Sequence, residues 1–372
     1  MKLLVTGAKG FIGKNLIAEL KNRGYEDILP YEIDTDPDLL DVYTKECDFV
    51  FHLAGVNRPK DPSQYMEGNF GFTSILLDSL RKNGNKAPVL ITSSIQAELS
   101  NPYGESKKAG EDLLLRYSEE NGVKVIIYRL QNVFGKWSRP NYNSAVATFC
   151  HNIARGLEIK VNDPETVLKL VYIDDVVNEF INALEGRENS LGDFCMIPVI
   201  HTVKLGRVAE LIKSFDALRE NLVLPDFSDE FTKKLFSTYL SFLPPDDFSY
   251  PLKMKADNRG SFTEFLRSKA GGQIAVNVAK PGITKGNHWH HTKLEKFLVV
   301  KGRGCLQFRD YDTDEIIEYH VSGENLNVVD IPPGYVHCII NEGDEDLITV
   351  IWANEPFDPD HPDTYHESVE KE

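Results

Sequence analysis

The chain has 372 residues, 41% of them hydrophobic and 26% charged, with a formal net charge of −16 and a pI near 5.1. That length suits two globular domains, and the acidity excludes a duplex nucleic-acid binder, which needs a basic patch to displace counterions. No apolar run approaches the ~18 residues of a membrane span, the opening MKLLVTGAKG turns to glycine too early for a signal peptide, and Cys47, Cys150, Cys195, Cys305 and Cys338 are scattered as reduced thiols of a cytoplasmic protein would be.

The first predicted element is a short apolar strand, Leu3 to Val5. Glycines follow at Gly7, Gly10 and Gly13, and Ile12, Leu16, Ile17 and Leu20 then recur at helical spacing up to Gly24. A strand, a glycine-rich turn and a helix make a dinucleotide cradle. The glycines let the chain reverse, let backbone N–H groups approach a pyrophosphate and let helix pack on strand, while the helix N-terminus favours the phosphate charge. Glu32 and Asp34 fall where an acidic residue would hold an unphosphorylated adenosine ribose, which favours NAD(H).

The alternation continues. CDFVFHLAG gives a strand, FTSILLDSLRKNG a helix, APVLITSS a strand, NPYGESKKAGEDLLLRYSEENG a helix and VKVIIYRLQNVFG a strand. Strands alternating with helices imply a parallel sheet covered on both faces. Tyr103 and Lys107 are four apart on a predicted helix, hence on one face. An ammonium beside a phenol favours the phenolate and lets the hydroxyl move a proton near neutral pH. Ser94 ends the preceding strand and is placed to hydrogen-bond the same substrate oxygen. Its neighbour Ser93 is the alternative.

Gly7-x-x-Gly10-x-x-Gly13, HLAG from His52, Asn69 opening a helix, Tyr103-x-x-x-Lys107, RLQNVFG from Arg129 and LVYIDDVV from Leu170 together resemble the extended short-chain dehydrogenase/reductases over about 240 residues. The resemblance implies a Rossmann-type doubly wound sheet. It places the dinucleotide on Gly7, Gly10, Phe11, Ile12, Gly13, Leu53, Ala54, Gly55, Tyr103 and Lys107. It makes Tyr103 the general acid of ketone reduction, Lys107 its partner and holder of the nicotinamide ribose, and Ser94 the group that polarises the carbonyl.

Helical patterns persist through RVAELIKSFDAL and FTKKLFSTYLSFL. The prolines of LPPDDFSYPL then mark a boundary near Ser249, giving domains 1–248 and 249–372. Beyond it, QIAVNVAKPG, KFLVVKGRGCLQFRD, DEIIEYHVSG, LNVVDIPPGYVHCIINEGD and LITVIWANE alternate at period two between turns, the pattern of an all-β sandwich or barrel. The acidic tail after Asp358 reads as a solvated end.

His288 and His290 are two apart and share one face of a strand. A turn at His-Thr-Lys brings Glu295 back, and His337 follows the tight turn Pro-Pro-Gly-Tyr on a later strand. Four N/O donors from neighbouring strands suit zinc or another divalent first-row metal. His291 points to the opposite face and reads as structural; His366 belongs to no grouping.

Gly282-x5-His288-x-His290-x4-Glu295-x6-Gly302 and Pro332-x-Gly334-x2-His337-x3-Asn341 resemble the two cupin motifs, with Leu326 where the second motif has its leading glycine. DNRGSFTEF from Asp257 is similar to the opening of sugar-nucleotide keto-deoxyhexose epimerases, which share the jelly-roll barrel. The order of the two halves, with PNYNS, DDFSYPL, KPGITKGNHWHHTK and EKFLVV, resembles the bifunctional CapF-type enzymes of capsular polysaccharide synthesis along nearly the whole chain. That resemblance implies a zinc-bearing homodimer joined through the cupin. It also implies a UDP-activated 4-keto-6-deoxy amino sugar as substrate, UDP-2-acetamido-2,6-dideoxy-L-arabino-4-hexulose. The cupin would epimerise C-3 and the reductase would reduce C-4 with NADPH, giving UDP-2-acetamido-2,6-dideoxy-L-talose on the route to UDP-N-acetyl-L-fucosamine for capsule or O-antigen.

Overall fold

The computed structural model describes residues 1–268 and 270–371. Two compact units divide the chain. One holds residues 1–213 and 234–244, and the other residues 214–233 and 245–372.

The first unit is α/β. Strands β1 (Leu3–Thr6), β2 (Ile28–Tyr31), β3 (Phe49–His52), β4 (Val89–Ser94) and β5 (Val125–Leu130) run parallel in the order β2-β1-β3-β4-β5. Helices α1 (Phe11–Asn22) and α2 (Asp38–Glu46) intervene, followed by α3 (Ser63–Met66), α4 (Phe72–Lys82) and α5 (Pro102–Asn121). β1, β3 and β4 are buried along their whole length, as a parallel sheet covered on both faces requires. Leu4, Val50, Leu76, Leu77, Leu80, Leu114 and Ile127 form one shared core. The strand order reverses between β1 and β3, which opens a crevice beyond their carboxyl ends. β6 (Asn132–Phe134) departs from this sheet to pair with β7 (Val167–Tyr172), whose other neighbour is β10 (His201–Lys204), while β9 (Phe194–Cys195) and β8 (Ser190–Leu191) extend the first sheet beyond β5.

α5 carries its own start and stop signals. The Asn101 side chain accepts from the Gly104 N–H at 2.9 Å, Pro102 sits in the first turn, and Gly122 closes the helix at φ 62°. Asn69 lies inside a π-helical turn, Glu67–Gly71, between α3 and α4. The expectation that it opens a helix is corrected by that turn.

The second unit is all-β apart from short helical pieces at its start. β13 (Gly260–Ser268), β14 (Gly272–Ala279), β21 (Leu347–Ala353), β16 (Glu295–Lys301) and β19 (Val328–Ile331) form one antiparallel sheet, with the short β11 (Val223–Leu224) and β12 (Lys255–Asp257) pairing with β13. β18 (Ile316–Ser322), β17 (Arg303–Asp310), β20 (Tyr335–Asn341), β15 (Thr284–Trp289) and β22 (Tyr365–His366) form the other. Inward residues of both sheets, among them Phe297, Leu306, Phe308, Ile339, Leu347 and Ile351, meet in one core. Burial alternates along β14 and β21 as period-two strands demand.

The tail is not a solvated end. β22 pairs with β15, Val369 is buried, and the fully buried Arg309 donates to the carbonyls of Ser368 and Val369 and to the Glu367 carboxylate. A buried guanidinium needs several acceptors, and the tail supplies them.

Candidate active site and candidate metal centre

At the crevice of the first unit, Gly7 (φ 69°) brings its Cα so near the chain that a Cβ would stand 2.7 Å from the Ala54 nitrogen. A Cβ on Gly13 would stand 2.2 Å from the Gly7 carbonyl oxygen. These contacts draw the turn before α1 against the Leu53–Gly55 segment after β3. Gly7, Gly10, Phe11, Ile12, Gly13, Leu53, Ala54 and Gly55 therefore gather at the mouth between β1 and β3.

Glu32 and Asp34 also reach this turn, but they face Lys9. The Glu32 carboxylate accepts from the Lys9 backbone N–H, and the Lys9 ammonium lies 2.7 Å from Asp34.

Ser94, Tyr103 and Lys107 converge across the crevice. Ser93 turns inward and donates to the Glu111 carboxylate at 2.5 Å. Ser94 ends β4 near the Tyr103 phenol and accepts from the Gln96 N–H at 3.2 Å. The geometry thus selects Ser94 over Ser93 as the hydroxyl beside Tyr103.

Lys107 Nζ donates to the Thr92 carbonyl oxygen at 3.0 Å and lies 6.0 Å from the Tyr103 ring centroid. A Cβ on Gly55 would press to within 3.0 Å of that ammonium, so Gly55 leaves room for it. Asn69 holds the far side, accepting from the Val56 N–H and donating to Ser106 Oγ.

The expectation that Lys107 draws the phenol toward phenolate is corrected here. Burial pushes the Tyr103 phenol up, and Ser94, not Lys107, opposes the rise. Lys107 itself is brought down to about 8, by burial first and against the pull of Glu111.

In the second unit His288, His290, Glu295 and His337 meet, with one donor atom from each lying within 4.8 Å of the others. β15 and β20 place His288 directly opposite His337, after a bulge at Gly286 and Asn287 that re-aims the strand. His290 Nε2 and His337 Nε2 lie 3.5 and 3.6 Å from Glu295 Oε2. Those distances are too long for hydrogen bonds, and both nitrogens are buried without another partner.

Donors ~2.1 Å from a tetrahedral ion stand ~3.4 Å from one another. Two orphaned nitrogens and a carboxylate at 3.5–3.6 Å therefore fit a divalent cation. His290 Nδ1 can only donate to the Asp363 carbonyl, which leaves the Nε2 lone pair directed into the cluster. Burial, then the neighbouring His337 and His290 rings, push His288 down to about 3, so its imidazole is neutral and ready to ligate. Burial opposes ionisation of Glu295. The Lys293 ammonium, 3.0 Å from its Oε1, favours the carboxylate against that cost.

The cluster opens on a cavity of about 540 Å³ whose wall includes Arg259, Asn277, Lys285 and Lys293. Lys285 donates to Asn277 Oδ1 and to the carbonyls of Ser261 and Val278.

Two contributors escaped the sequence. Asp363 receives the backbone N–H groups of His291, Thr292 and Lys293, locking the turn that separates His290 from Glu295. Those N–H groups hold its carboxyl below the ordinary range against burial. His366 lies with its ring centroid 6.3 Å from His288. His291, read as structural, packs between Trp289 and Tyr365.

Residues 3–194 match the NAD dependent epimerase/dehydratase family, and residues 255–365 match the polysaccharide biosynthesis C-terminal domain. The chain is 45% identical over 369 residues to the UDP-2-acetamido-2,6-beta-L-arabino-hexul-4-ose reductase of Pseudomonas aeruginosa, covering 99% of each chain. Its fold is similar to the crystal structure of the capsular polysaccharide assembling protein CapF of Staphylococcus aureus. The TM-score is 0.94 and the identity 50%, over 99% of this chain and 100% of that one. The UDP-glucose 4-epimerase of Thermotoga maritima shares the fold of the first unit at TM-score 0.55 and 21% identity, over 65% of this chain and 98% of that one. By its family match and its near-complete overlap with these relatives, the chain belongs to the NAD dependent epimerase/dehydratase family, in the group that contains CapF.

Proposed function

We propose that the protein is a bifunctional sugar-nucleotide enzyme. Its first unit reduces the C-4 ketone of UDP-2-acetamido-2,6-dideoxy-L-arabino-4-hexulose, and its second, a cupin, inverts C-3 of the same sugar before reduction. The product is UDP-2-acetamido-2,6-dideoxy-L-talose. The full-length identity to a UDP-sugar 4-keto reductase supports the substrate class. The single observation that carries the two-site reading is the buried four-donor cluster opening on its own cavity.

In the reductase site NADP(H), when bound, supplies the hydride. Gly7, Gly10 and Gly13 admit the pyrophosphate to backbone N–H groups, with Phe11 and Ile12 opening the helix behind it. Leu53, Ala54 and Gly55 flank it. Ser94 donates a hydrogen bond to the ketone oxygen, and Tyr103 delivers the proton that completes the alcohol. Lys107 holds the nicotinamide ribose and adds positive charge beside the developing oxyanion.

In the cupin His288, His290, Glu295 and His337 would hold zinc or another divalent cation, which supplies Lewis-acid polarisation when bound. The protein's own residues there supply a neutral His288, a fixed His290 tautomer and, in the cavity wall, Lys285 and the Asp257-paired Arg259. The neighbouring ketone acidifies the C-3 hydrogen, so removing that proton and returning it on the opposite face inverts the centre.

The protein acts as a homodimer joined through the cupin. Support comes from the edge strand β18, which exposes Ile316, Ile317 and Tyr319. Sedimentation velocity tests this: a single species at twice the chain mass is expected, and a monomer contradicts it.

Product NMR after incubation with the keto sugar, with and without NADPH, tests the function. Epimerised ketone without NADPH and the talo alcohol with it are expected. Reduction without any prior C-3 inversion would leave the cupin as a binding module.

A further inference from the structure

Tyr103, Lys107 and Glu111 follow one another at intervals of four on α5 and so share one stripe of the helix. Only the first two have a role in the reaction proposed above. Glu111 is nonetheless completely buried, and a buried carboxylate is costly unless fully partnered. Its partners are specific. Oε1 accepts from Ser93 Oγ and from Arg129 Nε at 2.9 Å, and Oε2 accepts from the Arg129 guanidinium at 2.7 Å. Arg129 opposes Ser93 across β4 and β5, lies 3.7 Å over the Phe194 ring and reaches out to Glu98 at 2.7 Å.

The chain Glu98–Arg129–Glu111 has two carboxylates for one guanidinium. A net negative charge remains, and Glu111, at its inner end, stands one helical turn from Lys107, the two being held at adjacent residues of β4, Ser93 and Thr92. The other titratable groups facing Lys107 cannot supply that charge. Tyr103 is a protonated phenol. His52 on β3 is buried between Thr6 and Thr73, and burial first, then Lys107, keeps it neutral, at about 3. The remaining polar contact on the ammonium is the neutral Thr92 carbonyl.

We propose that Glu111 is a positioning residue for the reductase: its Arg129-anchored carboxylate keeps Lys107 an ammonium, fixed against Thr92, through the pH range in which the enzyme works. This rests on the reductase reading given above. It accounts for an ion pair where an apolar pair of similar volume would pack as well. Burial alone takes Lys107 down toward neutrality, and Glu111 opposes it.

The test uses the full-length protein without added nucleotide. Lysine acetylation rates are measured against pH by competitive labelling and mass spectrometry, following the peptide that carries Lys107. A midpoint near 8 is expected for the unaltered protein. Glu111→Gln should lower it by roughly 1 pH unit. Ser93→Ala, which removes a hydrogen bond but keeps the carboxylate, should leave it in place. Should Glu111→Gln fail to melt cooperatively, the exposed Glu98→Gln removes net charge from the same chain and should lower the midpoint by about 0.3 unit, a fraction of the direct effect. A midpoint unchanged in whichever of these two variants folds overturns the proposal. In NADPH-dependent ketone reduction the alkaline limb should move down with the labelling midpoint. Loss of rate equally at every pH would instead mean a structural role and also overturns it. Absence of any ketone reduction by the unaltered protein would fault the reductase reading, while the labelling result would still decide the role of Glu111.

Discussion

His290 Nε2 and Glu295 Oε2 face one another at 3.5 Å across a turn held by Asp363, and neither proximity nor burial gives the nitrogen a hydrogen bond. An unpartnered buried nitrogen costs free energy. Its placement beside a second such nitrogen on His337 and a carboxylate is the arrangement that a cation resolves. His290→Ala should reduce bound divalent metal from about one ion per chain to a trace, since three donors and a lost tautomer lock make a poor structural site. Elemental analysis of the purified protein measures this directly. Asp363→Ala keeps the carbonyl that orients His290 but frees the turn, and should weaken metal binding roughly 10–100-fold in a chelator competition.

Tyr103→Phe removes the proposed proton donor without changing the ring's packing against Tyr65. Ketone reduction should fall by about 10²–10⁴, with NADPH binding retained by fluorescence titration. Ser94→Ala should cost less, about 10²-fold. A Tyr103→Phe enzyme with full reduction rate would assign the proton to another group.

Glu32 and Asp34 are occupied by Lys9, so neither carboxylate stands free for an unphosphorylated ribose. NADPH should be preferred over NADH in steady-state kinetics. Lys9→Ala frees the Asp34 carboxylate and should shift that preference toward NADH. A large preference for NADH in the unaltered enzyme would contradict this.

His52 gives an acid limb to stability. Burial, then Lys107, holds its pKa at about 3 in the folded chain, against the ordinary 6.5. The unfolded chain therefore binds the extra proton first as pH falls. Stability from this group is full above about 6.5, declines from there to about 3, and is then flat; the whole effect is at most ~5 kcal/mol. Urea melts between pH 7 and 4 should show a loss that His52→Gln diminishes.

Much of both sites was legible because the determinants are local. Gly7, Gly10 and Gly13 lie within one turn, Tyr103 and Lys107 within one helical turn, and His288, His290 and Glu295 on either side of one short turn between the two sheets. His337 was reachable through the Pro-Pro-Gly-Tyr turn that aims it. What escaped lies far along the chain or depends on environment. Asp363 is 72 residues from the His291 N–H it receives, and no spacing rule joins them. The acidity of the tail suggested solvation, yet Arg309 was there to gather its carbonyls. The Tyr103 phenol moves opposite to expectation because the helix fixes only the spacing to Lys107, while burial sets the direction.

The most direct measurement is proton NMR of the 4-keto sugar nucleotide incubated with the protein in D₂O and no nicotinamide. The account expects deuterium to enter at C-3, and to stop entering in the His290→Ala protein. Retention of the C-3 proton in the metal-loaded, unaltered protein, with reduction proceeding normally once NADPH is added, would contradict it.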